Sequence, residues 1–259
     1  MSDEQKTTNF AEEALECPTS RGHFLKGAAV MAASVGLAPA AASAAGLDRT
    51  AFNKMAEPKQ TILNIAATAE AAAVTALYNV HVAVNQGHLD VKGIAIPVNT
   101  LVSIVRGILR QEQDHYAFLT GAGARPMATS FSFPPAIFTS ARSALGFLEV
   151  ADSIFVAAYM AANREFARAG MGQLAQYTYQ IGGTEAEHRA LARAGLGVLP
   201  NNKSYETNMF TNVAGAAKRL QQLGVLKPGM SYPGAQAVNT ILSSSGDRRL
   251  NAGVSQRRP

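Results

Sequence analysis

Apolar residues recur with the period of an α-helix along four long segments of this 259-residue chain. In the first segment Ile62, Ile65, Ala69, Ala73 and Leu77 lie three or four residues apart, so they share one helical face. The same period predicts four main helices over about residues 58–85, 100–120, 141–168 and 171–194. Long runs with the alternation of a β-strand are missing, so the pattern predicts an all-α fold.

Glycine and proline separate these helices and indicate how they connect. Residues 86–98 are predicted to form a loop. Residues 122–138 carry three prolines and three phenylalanines (Phe131, Phe133 and Phe138) and predict a long crossover packed by aromatic rings. We therefore predict a four-helix bundle over residues 57–195 with a long connection between helices two and three. Residues 196–259 form a C-terminal extension, partly helical near 209–223 and 234–244.

The first 44 residues have the features of an export signal. Residues 27–45 are uncharged and rich in Ala and Gly, and Arg21 and Lys26 stand just before them. Ala42-Ser43-Ala44 matches the small-x-small rule for cleavage, which leaves residues 45–56 as a lead-in. The alternative is an uncleaved membrane helix, which the interruption at Pro39 disfavours.

The segment before this apolar run, Ser20–Lys26, resembles the twin-arginine export signal S-R-R-x-F-L-K. The Phe-Leu-Lys part matches, but Gly22 replaces the second arginine, so twin-arginine and general secretory export both stay open. Either route predicts a protein exported from a bacterial cytoplasm, to the periplasm or the cell envelope.

The amino-acid composition argues against several kinds of functional site and against nucleic-acid binding. The only cysteine, Cys17, lies within the predicted export signal, so the mature chain is expected to contain no disulfide, thiolate metal site or cysteine nucleophile. The formal net charge is +5, and Lys and Arg are scattered without a basic stripe interleaved with aromatic residues. We therefore expect no nucleic-acid partner.

Two Glu-x-x-His motifs carry the candidate chemistry. Glu112 and His115 stand three residues apart in helix two, and Glu185 and His188 do so in helix four. Residues at this spacing lie on one helical face and can hold one metal ion together. The helix before each motif carries a lone glutamate. The six candidate metal ligands are Glu70, Glu112, His115, Glu149, Glu185 and His188.

The apolar surroundings of these acids favour metal binding over a solvated surface. Glu70 has only Ala and Val residues one turn away, and Glu112 has Ile108 and Leu109. Buried ionised carboxylates cost several kcal/mol each unless they are paired or bound to metal. Four carboxylates and two imidazoles on four helices are the ligand set of a carboxylate-bridged di-metal site. Asp152, one turn after Glu149, is either a substitute ligand or a group that supports the ligands from outside the metal site.

Other polar side chains have plainer interpretations. His81 lies about 16 Å along the helix from Glu70, too far to share a metal ion with it, and His88 is in a loop. Both are interpreted as structural or solvent histidines. The tyrosines, among them Tyr116 and Tyr159, are interpreted as core residues, with a proton-relay or radical role as the alternative.

With these motifs, residues 57–195 resemble the ferritin-like superfamily, and more narrowly the exported bacterial ferritin-like domain proteins related to desiccation-associated proteins. The resemblance implies that the six residues bind two iron ions, or alternatively two manganese ions. It implies redox chemistry on peroxide or O2, as a di-metal oxidase or peroxidase or as a manganese-catalase-like enzyme, in oxidative or desiccation stress. An oxidase would also need an electron donor, which the sequence does not identify.

Other roles stay open from the sequence. The bundle could be a non-enzymatic stress or accessory module in which metal only stabilises the helices, or an iron-binding or iron-storage protein. Its assembly could be a homodimer or a complex in the cell envelope.

Overall fold

The computed structural model describes residues 57–244, and the predicted export signal and lead-in lie outside them. The described part contains six α-helices, one 3-10 turn and two short strands. The helices are α1 (Lys59–Asn85), α2 (Val98–Gly121), α3 (Ala141–Arg168), α4 (Gly172–Gly195), α5 (Val213–Gln222) and α6 (Ala235–Ser244). The strands are β1 (Ser130–Phe131) and β2 (Met230–Ser231), and the 3-10 turn spans Pro135–Phe138.

The four long helices confirm the all-α prediction. Ser140 caps α3 by accepting a hydrogen bond from the Ser143 N–H, and Gly170 follows the helix at φ +71°. α2 begins at Val98, two residues before the predicted start, because Pro97 already supplies a helix-compatible φ at its N-cap.

The connection between α2 and α3 runs the length of the bundle. It begins beside the start of α1, where the Gln60 side chain donates to the Gly123 carbonyl at 2.9 Å. It finishes beyond the end of α1, where the Asp90 N–H donates to the Thr139 carbonyl at 2.9 Å. α2 and α3 are therefore parallel, and the predicted long crossover is confirmed.

Two apolar clusters fill the two ends of the bundle. One lies near the end of α1 and the start of α2 and includes Leu77 and Leu101. The other lies near the start of α1 and the end of α2 and includes Ile62 and Leu119. The helix segments between these clusters carry buried polar side chains, and that layer is where the candidate site lies.

The C-terminal extension packs against the bundle through both of its helices. Of the two segments predicted to be helical, 209–223 is helical only in part, as α5, and 234–244 is helical almost entirely, as α6. α5 contacts α1 and α3, and α6 contacts α2. β2 pairs antiparallel with β1 in the crossover, which the sequence did not predict. Gly229 permits this approach, because a Cβ there would lie 2.4 Å from the Phe131 carbonyl oxygen.

Two of the bundle helices, α1 and α3, are long and apolar enough to cross a bilayer by length and composition alone. Each nevertheless carries an acid that is buried among the other helices, Glu70 in α1 and Asp152 in α3. In this structure most of the apolar window of α1 and nearly half of that of α3 are covered by the rest of the protein.

Candidate metal centre

Six titratable side chains from all four bundle helices meet midway along the bundle and form what we call the buried cluster. Its members are Glu70 of α1, Glu112 and His115 of α2, Asp152 of α3, and Glu185 and His188 of α4. Five of them expose at most 1% of their surface, whereas the His115 side chain exposes 12%. The cluster is therefore closed on most sides, with its one accessible edge at His115.

The carboxylates of Glu112 and Glu185 lie between the two imidazoles. Glu112 Oε1 is 3.1 Å from His188 Nδ1, and its Oε2 is 3.9 Å from His115 Nδ1. Glu185 Oε1 is 3.2 Å from His115 Nδ1, and its Oε2 is 3.3 Å from His188 Nδ1. Each glutamate thus turns one oxygen to each histidine, which is the placement required of a carboxylate that bridges two metal ions.

The remaining two acids, Glu70 and Asp152, lie at opposite sides of the Glu112 and Glu185 carboxylates. Glu70 Oε2 is 3.6 Å from His115 Nδ1, and Asp152 lies with His188. The cluster therefore divides into two overlapping sets that share Glu112 and Glu185, one completed by Glu70 and His115 and the other by Asp152 and His188. Within each set the ligand atoms lie within 4.8 Å of one another. Each set offers three carboxylates and one imidazole.

The structure brings together five of the six predicted ligands and places Glu149 outside the cluster. The Glu149 side chain is 27% exposed and forms an ion pair with Arg193 of α4. Asp152, three residues further along α3, is 1% exposed and takes the place expected of Glu149 in the cluster.

Depth along the helix explains why Asp152 and not Glu149 reaches the cluster. The number of residues between an acid and the next Glu-x-x-His motif does not give this depth, because that number includes the loops. Twelve residues connect α1 to α2, whereas three connect α3 to α4. Measured within the helices, Glu70 lies eleven residues after Lys59 and Asp152 lies eleven residues after Ala141, so these two acids reach the same depth.

Two further polar side chains contact the cluster. The Tyr159 hydroxyl of α3 donates a hydrogen bond to Glu70 Oε1. The Gln111 side-chain oxygen lies 2.9 Å from His188 Nε2, so that ring is held with Nδ1 directed into the cluster. The sequence had not singled out Gln111, and it had given Tyr159 no priority over the other tyrosines.

Burial makes it costly for all the acids to be charged at once. Burial, followed by the negative charge of Glu112, raises the pKa of Glu70 to about 8. Burial also raises the pKa of Asp152 well above its ordinary value, where the charges of Glu185 and Glu112 add to it and His188 opposes it. The acids at the two sides of the cluster therefore hold protons more tightly than they would in water.

Burial acts in the opposite direction on the pKa values of the two histidines. Burial alone would lower their pKa values, but the carboxylates of Glu112 and Glu185 outweigh it and hold the pKa values of His115 and His188 well above the ordinary value. Positive charge at the centre of the cluster is therefore strongly favoured, whether protons or metal ions supply it.

Eight oxygen and nitrogen atoms of the cluster are buried without a hydrogen-bond partner among the described residues. They comprise both carboxylate oxygens of Glu112 and of Glu185, one oxygen each of Glu70 and Asp152, and Nδ1 of both histidines. Buried polar atoms are rarely left without partners, and oxygen and imidazole nitrogen donors suit iron or manganese. The residues present are therefore compatible with a di-metal site.

The other histidines lie away from this site. His81 is 1% exposed, and its Nε2 lies 3.0 Å from the Asn85 side-chain nitrogen, which confirms its structural interpretation. His88 is exposed in the loop after α1. Tyr116 packs against Tyr232 of the C-terminal extension at 4.8 Å between ring centroids.

Comparison with known proteins agrees with this geometry. A family model described as a ferritin-like domain matches residues 58–198, which span the four bundle helices. No curated protein and no solved structure matches the chain significantly. The resemblance to the ferritin-like superfamily is thus confirmed, while the closer relation to desiccation-associated proteins stays a prediction.

Proposed function

Since this chain belongs to the ferritin-like domain family, we propose that its buried cluster binds two iron ions, or alternatively two manganese ions, for redox chemistry on O2 or peroxide. The observation that carries this proposal is the set of eight buried atoms that converge on one small volume and make no hydrogen bond to the described residues. Four carboxylates would balance the charge of two divalent ions, so a metal pair would relieve the electrostatic cost of the cluster.

The bound pair would supply the electrons: oxidation of two divalent ions releases two electrons, which with two protons reduce O2 to H2O2, or H2O2 to two waters. The protein residues hold the ions and move protons. Glu112 and Glu185, which belong to both ligand sets, would help to hold both ions, and Glu70 and Asp152 would each help to hold one. The Tyr159 hydroxyl, hydrogen-bonded to Glu70 Oε1, is placed to exchange a proton with that carboxylate.

The contrast between Asp152 and Glu149 tests the ligand assignment. We expect the wild-type protein to contain about two metal ions per chain after anaerobic reconstitution, and Asp152→Ala to contain about one or fewer. The matched control, Glu149→Ala, should retain about two, because the Glu149 side chain pairs with Arg193 outside the cluster. Elemental analysis gives the number of ions per chain.

Loss of metal in Glu149→Ala with full retention in Asp152→Ala would contradict this assignment. The redox part needs a second measurement, in which the reconstituted protein is mixed with O2 or with H2O2 and consumption is followed. Oxidation of two iron ions should consume about one O2 per chain if H2O2 is released, and a catalase-like site should release O2 from H2O2.

The degree of burial favours one rival function. Five cluster residues expose at most 1% of their surface, which would also suit ions that only brace the four helices. In that case metal would raise the melting temperature of the protein, but neither oxidant would be consumed beyond the rate of a metal-free control.

A further inference from the structure

A cavity of about 50 Å³ adjoins the buried cluster between α1 and α3, and we call it the apolar chamber. The crossover and the C-terminal extension contribute Phe133, Ile137, Leu220 and Val225 to its lining. Every residue that lines the chamber is apolar except Asp152, which also belongs to the buried cluster. The chamber and the cluster therefore share one side chain.

The chamber has room for water but little to bind it. A cavity needs roughly 10–15 Å³ to hold one water, and a buried water needs two to four polar partners. Asp152 offers the only side-chain polar atoms in the lining, and its carboxylate lies with Glu112, Glu185 and His188. Cavities lined by apolar side chains stay dry and take up apolar molecules instead.

The apolar lining of the chamber favours dioxygen over hydrogen peroxide. Hydrogen peroxide carries two hydroxyl groups, which would lose their hydrogen bonds with water in this chamber. Dioxygen has no hydrogen to donate, is apolar and is small enough for the space.

We propose that the apolar chamber is a dioxygen-binding site, which presents O2 to the buried cluster at Asp152 and makes O2 the oxidant that the protein uses. This inference rests on the proposed function for its consequence in catalysis. The binding of gas in the chamber does not depend on metal, so the two proposals can fail separately.

Dissolved dioxygen is the direct probe, because it is paramagnetic and speeds the relaxation of nearby methyl protons. In the metal-free full-length protein under O2 pressure, methyl groups of Val105, Leu145 and Val225 should relax several-fold faster than those of buried Ile62 and Leu63, which do not line the chamber. Equal enhancement at both sets would overturn the proposal, and so would ordered water filling the chamber in a crystal structure.

Filling the chamber provides the second test. Ala76 lines the chamber, whereas Ala216 lines a separate cavity of about 20 Å³ that does not include Asp152. In Ala76→Leu the enhancement at the chamber methyls should disappear, and it should persist in the matched control Ala216→Leu. Persistence in both variants would overturn the assignment of the methyl effect to the chamber.

The metal-loaded protein adds a kinetic result. Ala76→Leu should raise KM for O2 by at least about fivefold while kcat changes little, because the chamber determines occupancy by O2 rather than the chemistry. An unchanged KM for O2 in a folded Ala76→Leu protein would overturn the proposal. A chain that binds no metal would instead contradict the proposed function, and the methyl relaxation would still decide whether the chamber binds dioxygen.

Discussion

Single residues in this protein differ in how their charge is compensated. The acids of the buried cluster face two histidines, so positive charge is available where negative charge is buried. Arg106 is 5% exposed, and its guanidinium donates to the Leu242 carbonyl oxygen of α6. Arg106 lies near His81. We therefore expect the stability of the protein to depend on pH through His81, separately from the metal centre.

Burial, followed by the positive charge of Arg106, lowers the pKa of His81 from its ordinary value of 6.5. The neutral ring is therefore favoured in the folded state, and its contribution to stability is fully present above pH 6.5 and lost as the pH falls through the lowered value. We predict that the free energy of unfolding of the wild-type protein falls more steeply below pH 6.5 than that of His81→Gln.

Denaturant unfolding of metal-free protein at a series of pH values checks this. His88→Gln is the matched control, because His88 is exposed in a loop. Identical pH profiles for the wild type and His81→Gln would show that His81 does not carry the effect.

At the residue scale, the sequence predicts the two Glu-x-x-His motifs and Glu70 because their helical spacing and apolar neighbours can be read directly. It does not distinguish Glu149 from Asp152 in α3, because these acids lie one turn apart and only their depth in the bundle separates them. Gln111 and Tyr159 could not be selected, since their roles depend on contacts between helices.

At the scale of elements, the packing of α3 against α4 depends on one glycine of a pair that lies next to the second motif. A Cβ at Gly182 would lie 3.1 Å from the Tyr159 Cβ, whereas a Cβ at Gly183 would meet nothing within 4 Å. Gly182 therefore brings α4 close to the tyrosine that contacts Glu70, while Gly183 only weakens the helix.

We predict opposite consequences for the two alanine variants. Gly183→Ala should raise the free energy of unfolding by about 0.5–1 kcal/mol, because alanine loses less backbone entropy in a helix. Gly182→Ala should be less stable than Gly183→Ala by at least about 0.5 kcal/mol, because the added methyl crowds Tyr159. Denaturant unfolding measures both, and a Gly182→Ala protein as stable as Gly183→Ala would contradict the close packing.

Local sequence signals predict the long helices. The main feature that they do not predict is a contact between distant parts of the chain. Helical periodicity, the Ser140 cap and the glycine after α3 determine the long helices within one or two residues. The pairing of β1 with β2 joins segments about one hundred residues apart, and two-residue strands have no periodicity to detect. α5 is likewise shorter than the apolar pattern over 209–223 suggests.

At the scale of the whole molecule, the C-terminal extension is tied to the start of the bundle by a buried carboxylate. Glu57 is 6% exposed and accepts hydrogen bonds from the N–H groups of Val213 at 2.6 Å and Ala214 at 2.8 Å. The Glu57 carboxylate thus accepts hydrogen bonds from N–H groups that have no partner within the first turn of α5. Its negative charge also lies at the positive end of the helix dipole.

We predict that Glu57→Ala lowers the free energy of unfolding by about 1–2 kcal/mol, because the buried N–H of Val213 and the partly buried N–H of Ala214 lose their acceptor. The control Glu187→Ala removes an exposed carboxylate and should change stability by no more than about 0.5 kcal/mol. Hydrogen exchange would locate the effect: the amides of α5 should exchange faster in Glu57→Ala. Unchanged exchange there would show that Glu57 does not hold the extension.

The central claim concerns the whole bundle, since all four helices contribute ligands to one metal pair. Anomalous X-ray diffraction from crystals of reconstituted protein, recorded at the iron and manganese absorption edges, tests it most directly. We predict two peaks in the buried cluster, one beside Glu70 and His115 and one beside Asp152 and His188, with Glu112 and Glu185 between them. No peak at either edge, or a peak beside Glu149, would contradict the account.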